Sequence, residues 1–206
     1  AEVLRQVLGA EGPALRDEAL AALETHFVEL LRWRKRADLT SLSDPRTIAV
    51  RHYLDSLLLA PELPDGLRVA DLGCGAGFPG YPLAAARPDL RVMLVETRAI
   101  KTTFLQHVLS RTALPNVQVL KGRAERLATE HGPVDRVVAR ALAQPDAVRG
   151  LARDWLGTGG KLLVMRGPDR DGESPAADEP WDLEGERAYA LPVEGAARRV
   201  VTYRRR

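Results

Sequence analysis

The run Val69-Ala70-Asp71-Leu72-Gly73-Cys74-Gly75-Ala76-Gly77-Phe78-Pro79-Gly80 restricts the fold more than any other part of the chain. A short apolar segment ends in an acid, three glycines alternate with small residues, and a proline follows. Glycine is needed where the backbone takes φ > 0 or lets a ligand lie against it. Proline suits the first turn of a helix, because its φ is already set and its missing N–H had no partner there. The run therefore predicts a strand, a tight turn and a helix opening at Pro79, the nucleotide-binding βα turn of a doubly wound sheet.

The glycine spacing narrows the nucleotide. A dinucleotide fingerprint reads G-x-G-x-x-G, with its third glycine beside the pyrophosphate. Here glycines stand at 73, 75 and 77, and position 78 is Phe. A ring at that position crowds a pyrophosphate, so a nicotinamide dinucleotide and the oxidoreductase reading are disfavoured. G-x-G-x-G after an acidic strand end resembles the S-adenosylmethionine loop of class I methyltransferases. That cofactor carries a sulfonium, a carboxylate and an adenosine, and no phosphate.

At 206 residues the chain suits one domain with a small appendage, and 45% hydrophobic content is ample for a core. No apolar span is long enough to cross a membrane, and Ala1-Glu2-Val3-Leu4-Arg5 lacks the layout of a signal peptide. Cys74 is the single cysteine, so no internal disulfide forms. A cytoplasmic, monomeric protein is the expectation, with no metal site. Net charge is only +2, but Arg32–Arg36 and Arg198–Arg206 are basic with interleaved aromatics. Such clusters suggest contact with a polyanion, and arginine suits phosphate and base-edge recognition.

Residues 1–66 read as a helical extension packed on the core. Leu20, Leu23, Phe27, Leu30 and Leu31 recur at helical steps, and a second helix is expected to begin near Ser43-Asp44-Pro45. Residues 67–206 alternate strands with helices, which argues an α/β fold. Strands are expected at Arg68–Leu72, Arg91–Glu96, Val117–Lys121, Val134–Arg140 and Lys161–Arg166, with helices between them. Arg187–Leu191 and Val200–Arg204 read as a final antiparallel hairpin around Pro192 and Gly195. The acidic, proline-rich stretch from Pro168 to Pro180 reads as a mobile loop.

Glu96 closes the second strand, where an acid accepts hydrogen bonds from the ribose hydroxyls of an adenosine. Ala124 and Glu125 follow the third strand, where the adenine is expected and a backbone group can read its edge. Arg140 ends the fourth strand and so borders the ligand crevice. Arg98 and Lys101 flank the start of the second core helix on the same rim, placed to meet phosphates.

Four segments carry a further resemblance: Ala37-Asp38-Leu39-Thr40-Ser41, Arg51-His52-Tyr53-Leu54-Asp55-Ser56, the loop ending Gly77-Phe78-Pro79-Gly80, and Ala139-Arg140-Ala141. From roughly Phe27 to Met165 the chain resembles the bacterial small-subunit rRNA guanine-N7 methyltransferase G family, also called glucose-inhibited division protein B. The resemblance implies a class I methyltransferase sheet, S-adenosylmethionine at Gly73, Phe78, Ala124, Glu125 and Arg140, and 16S rRNA or an assembling small subunit as partner. It also implies that Arg51, His52, Lys101 and the C-terminal Arg198 and Arg199 face RNA. The family usually has Asn where this chain has Asp38, and tends to carry Lys where Arg166, also expected to meet RNA, stands before Gly167.

Guanine N7 has a free lone pair and no proton to lose, so no general base is expected and no catalytic residue is assigned. Arg140 is the candidate for positioning. Two alternatives share these features: a methyltransferase acting on a protein or small molecule, and a non-catalytic RNA-binding or assembly factor.

Overall fold

Ahead of the sheet lies a helical layer: α1 (Glu2–Glu11), α2 (Asp17–Ala37), α3 (Pro45–Ile48), a π-helical stretch at Ala49–Leu54 and α4 (Asp55–Leu57). The computed structural model describes residues 1–140, 142–168 and 174–206. In α2, acids open the first turn and Arg34, Lys35 and Arg36 close the last, each end matched to the helix dipole. Asp38 ends it in the left-handed region at φ 48, which short polar side chains tolerate. Asp44 caps α3 by accepting from the Thr47 N–H at 2.7 Å, with Pro45 in the first turn as expected. The stripe Leu23, Phe27 and Leu30 is buried, while Leu20 and Leu31 lie at its margin. Truncating Phe27, 1% exposed, to Ala is expected to cost about 3–5 kcal/mol.

The core alternates as read: β1 (Arg68–Leu72), α5 (Gly80–Ala86), β2 (Arg91–Glu96), α6 (Ala99–Leu109), β3 (Val117–Lys121), α7 (Ala124–His131), β4 (Val134–Arg140), α8 (Pro145–Ala152), β5 (Leu156–Arg166), β6 (Trp181–Ala190) and β7 (Ala197–Arg205). The strands form one sheet in the order β3-β2-β1-β4-β5-β7-β6. All pairings are parallel except β5 with β7 and β7 with β6. Strand order reverses between β1 and β4, so a crevice opens at their carboxyl ends. One apolar cluster joins α1, α2 and the π stretch to α5, α6 and one face of the sheet. A second lies on the other face under α7 and α8, around the fully buried Trp155.

Several boundaries differ from the sequence reading, and β7 begins at Ala197 rather than Val200. The helix after the glycine loop begins at Gly80, and Pro79, joined to Phe78 by a cis peptide bond, is its N-cap rather than its first residue. β5 starts at Leu156 because Leu156 pairs with Val134 and the glycine-rich run 157–160 is absorbed by a register shift in the ladder. β6 starts at Trp181, which is 4% exposed and belongs to the second cluster. Of the stretch read as a mobile loop, residues 169–173 lie outside the described residues. Glu179, near its end, is held by Arg149 at 2.6 and 2.8 Å, so that part is anchored.

Candidate functional site

The glycine loop leaves β1 at the switch point, and its geometry demands glycine. Gly73, Gly75 and Gly77 have φ of 68, 58 and 99. A Cβ on Gly73 would meet Leu142 Cδ1 at 2.3 Å, and one on Gly77 would meet Leu105 Cδ2 at 2.9 Å. The N–H groups of Gly73 and Cys74 both donate to the Val95 carbonyl, at 2.9 and 3.1 Å. Cys74 is buried, and burial followed by the nearby Asp71 pushes its thiol well above the usual range. It packs as a small residue, and a buried, protonated thiol is a poor nucleophile.

A residue of α2 fixes the loop from outside. His26 is fully buried, with Nε2 2.8 Å from the Ala76 carbonyl oxygen and Nδ1 2.5 Å from the Tyr53 hydroxyl. A carbonyl only accepts, so Nε2 carries the proton and Nδ1 accepts from Tyr53. Burial holds this imidazole neutral, with its pKa lowered to about 4. Its ring stacks on Tyr81 at 4.4 Å and meets Phe78 edge-on at 5.3 Å.

On the β2 side of the loop, Glu96 is 7% exposed. Oε2 accepts from the Gly75 N–H at 3.1 Å, and Oε1 accepts from the Arg98 N–H at 2.8 Å and the Thr97 hydroxyl at 3.2 Å. A carboxylate has about four lone-pair sites, so with three filled, acceptor capacity remains for one ligand hydroxyl. Beneath the loop, Asp71 Oδ2 accepts from the Gly80 N–H at 2.7 Å. Its Oδ1 is buried with no partner among the described residues. Burial pushes Asp71 up to about 7. Ala124 opens α7, half-buried, and its carbonyl accepts from Trp155 Nε1 at 3.0 Å. That leaves its backbone N–H as the group suited to a purine edge. Glu125 is exposed, 3.7 Å from Arg123.

On the β4 side lies a cavity of about 600 Å³. Gly73, Gly75, Phe78 and Arg140 line it, as do Arg51, His52, Arg166 and Arg198. The structure thus gathers eight expected residues, while Glu96, Ala124, Glu125, Arg98 and Lys101 lie outside this cavity. Arg140 Nη1 donates to the Arg51 carbonyl at 2.7 Å, and Nη2 is 3.0 Å from His52 Nδ1. Since a guanidinium only donates, His52 Nδ1 accepts and Nε2 donates to the Thr40 hydroxyl at 2.8 Å. His52 stacks on Phe78 at 4.8 Å, and the Arg140 guanidinium carbon lies 5.3 Å from that ring's centroid. Burial first, then the Arg140 charge, lowers His52 to about 3, so it stays neutral.

The rim carries the remaining candidates. Arg98 pairs with Asp38 at 3.0 Å where α2 ends, and half-buried Lys101 would sit 3.9 Å from a Cβ on Gly75. Exposed Arg51 pairs with Glu194 at 2.7 Å. Arg199 corrects the sequence reading. Although adjacent to Arg198, it is 2% exposed, donates to the Gly167 carbonyl at 2.9 Å and lies 3.6 Å from Glu186. Strand alternation turns it inward and leaves Arg198 on the cavity. Ala141 lies outside the described residues.

Sequence reasoning missed Asp55, Tyr189 and His26. Asp55, 2% exposed, accepts from the Tyr189 hydroxyl at 2.6 Å. Its signal was an acid one helical turn after Arg51, inside the block that carried the family resemblance but without a role assigned to it. His26 interrupts the apolar stripe of α2, and only the tertiary structure shows its partners.

The fold itself is shared with solved methyltransferases. A methyltransferase from Aquifex aeolicus described as SAM dependent superposes with a TM-score of 0.59 at 18% identity, covering 81% of this chain and 97% of that one. Aeropyrum pernix fibrillarin, solved with natively bound S-adenosyl-L-methionine, gives 0.55 at 22% identity over 75% of each chain. The sequence relationship is closer. The ribosomal RNA small subunit methyltransferase G of Anaeromyxobacter dehalogenans is 38% identical across 100% of this chain and 97% of its own length. Its counterpart from Xanthomonas oryzae pv. oryzae strain MAFF 311018 is 36% identical across 96% and 92%. The family model described as rRNA small subunit methyltransferase G matches residues 19–202, extending beyond the span legible from motifs. With that match across helical layer, glycine loop and terminal hairpin alike, the chain belongs to the rRNA small subunit methyltransferase G family.

Proposed function

We propose that the protein methylates N7 of a guanine in 16S rRNA, using S-adenosylmethionine. The observation that carries this reading is the pairing of two sites across one glycine loop. Glu96 stands on the β2 side with spare acceptor capacity, and the arginine-lined cavity opens on the β4 side. The first suits an adenosine ribose. The second suits the carboxylate end of that cofactor at Arg140 and, toward Arg51, Arg166 and Arg198, a nucleotide of the substrate.

Residues present fit the cofactor. The backbone at Gly75, where a Cβ would meet only Lys101 Nζ at 3.9 Å, leaves room for close approach, Glu96 would hold a ribose hydroxyl, the Ala124 N–H the adenine, and Arg140 the carboxylate. S-adenosylmethionine would supply an electrophilic methyl group on sulfur. The chain's own task is then orientation of guanine N7, which needs no proton removed. Holding the reacting groups in line can supply roughly up to 10 kcal/mol.

His52 serves that task as a neutral wall. Its Nδ1 lone pair is taken by Arg140 and its Nε2 proton by Thr40, so it neither removes a proton nor adds a positive charge beside a sulfonium. Arg51, Arg166 and Arg198 line the cavity and would meet substrate phosphates, and Arg98 and Lys101 extend that surface across the rim. The protein acts as a cytoplasmic monomer on free 16S rRNA or an assembling subunit. No described helix is long and apolar enough to cross a membrane.

Incubation with methyl-labelled S-adenosylmethionine and undermodified small-subunit particles tests the reading. Label in 16S rRNA at a guanine N7 is expected. Label absent from rRNA at every assembly stage, or present at another atom, refutes it.

A further inference from the structure

Arg140 sits at the end of β4 with its side chain only 17% exposed. A guanidinium this sheltered needs a counter-charge and filled donor directions, since an uncompensated buried charge is strongly destabilising. Burial indeed lowers its pKa, and Asp55 leads the groups that oppose the shift. The neighbouring Asp71 is a poor counter-ion, because burial keeps its carboxyl partly protonated near neutrality. Asp55 fills the role from 85 residues away in sequence. Its Oδ2 lies 3.5 Å from Arg140 Nη1 and 4.0 Å from Arg198 Nε, while Oδ1 accepts from Tyr189 at 2.6 Å.

Three separate parts of the chain therefore meet at one carboxylate: the segment after the π-helical stretch, the end of β4, and the β6–β7 hairpin. The hydroxyl of Tyr189 fixes one oxygen and so sets the direction of the other. Burial and the adjacent Asp55 raise the Tyr189 pKa, keeping that hydroxyl a donor. Arg140 is then held on four sides, by the Arg51 carbonyl, His52, Asp55 and the face of Phe78. The π-helical stretch Ala49–Leu54 contributes two of these, placing the Arg51 carbonyl and the His52 ring toward the same guanidinium.

We infer that Asp55 is a positioning residue, which with Tyr189 fixes the Arg140 guanidinium in the orientation that receives the carboxylate end of the cofactor. The inference rests on the reading of this crevice as the S-adenosylmethionine site. It makes the C-terminal hairpin part of the cofactor site through Tyr189, although Tyr189 does not line the cavity.

The test is a double-mutant cycle on the full chain, read by calorimetry with S-adenosylhomocysteine. Asp55→Asn keeps the shape but replaces one acceptor oxygen with a donor and removes the charge. In the parent background it is expected to weaken binding about tenfold, about 1.4 kcal/mol. Tyr189→Phe, which removes one hydroxyl at a half-buried position, is expected to weaken it by about threefold, within the range of coupled neighbours. In an Arg140→Ala background neither substitution should change affinity further. The same loss in both backgrounds would show a general structural role and overturn the inference, as would unchanged affinity in the parent background. Should Asp55→Asn not fold, the Tyr189→Phe cycle gives the same decision. Failure of the parent protein to bind S-adenosylhomocysteine would instead remove the cofactor reading, and the inference with it.

Discussion

Replacing His26 with phenylalanine separates the hydrogen bonds of this residue from its volume. The ring is retained for packing on Tyr81, but the Tyr53 hydroxyl and the Ala76 carbonyl lose their partner. A stranded buried polar group costs about 1–3 kcal/mol. With two such groups, His26→Phe is expected to be less stable than the parent by about 2–6 kcal/mol at about pH 7.5. The parent carries a second signature in its pH dependence. His26 titrates near 6.5 when unfolded and near 4 when folded, so between those values the unfolded chain binds more protons. Stability is complete above pH 6.5 and falls as pH drops toward 4. By linkage this amounts to about 2 kcal/mol at about pH 5.0. The variant lacks the imidazole and has no such loss, so the gap between the two proteins should narrow by about 2 kcal/mol from about pH 7.5 to about pH 5.0. Asp71, raised to about 7, pulls the other way, losing stability as pH rises from 3.8, and His52 adds to the acid loss. Both are present in each protein and cancel in the difference. Urea unfolding at the two pH values measures it. An equal gap at both, or a variant as stable as the parent at the higher pH, would refute the reasoning.

Glu96→Ala removes a charged acceptor and should weaken S-adenosylhomocysteine binding at least tenfold by calorimetry, hydrogen bonds to charged groups being worth about 1.5–3 kcal/mol. Gly80→Ala would place a Cβ 2.5 Å from Leu94 Cδ2 and 2.8 Å from Asp71 Oδ2. Overpacking of this kind costs about 1–3 kcal/mol, readable as a lower Tm. Arg198→Ala should reduce the salt slope of RNA binding by about 1, the signature of one lost phosphate contact. Arg199→Ala, at a buried position, should lower thermal stability while leaving that slope in place.

The first four parallel strands were legible because each is a short apolar run bounded by turn residues. Their observed limits at Arg68–Leu72, Arg91–Glu96, Val117–Lys121 and Val134–Arg140 match the pattern. Positive φ at the loop glycines was equally readable, since alternating glycine has few other uses. What escaped was tertiary. Nothing local distinguishes Arg198 from Arg199 until the pairing of β5 with β7 fixes the register and turns one inward. Asp55 and Tyr189 are 134 residues apart, and only the hairpin's return to the helical layer makes them partners. Gly157, Gly159 and Gly160 suggested a break, yet the ladder runs through them because the shift against β4 absorbs the irregularity.

His26 and Asp55 stand ahead of β1, yet their partners Ala76, Tyr81, Arg140 and Tyr189 are spread through everything that follows. A chimera that joins the helical layer of one relative to the sheet of another would cut across every one of these contacts. Such hybrids should recover activity only when both halves of each pair are exchanged together, so these positions are expected to travel as a linked set during divergence.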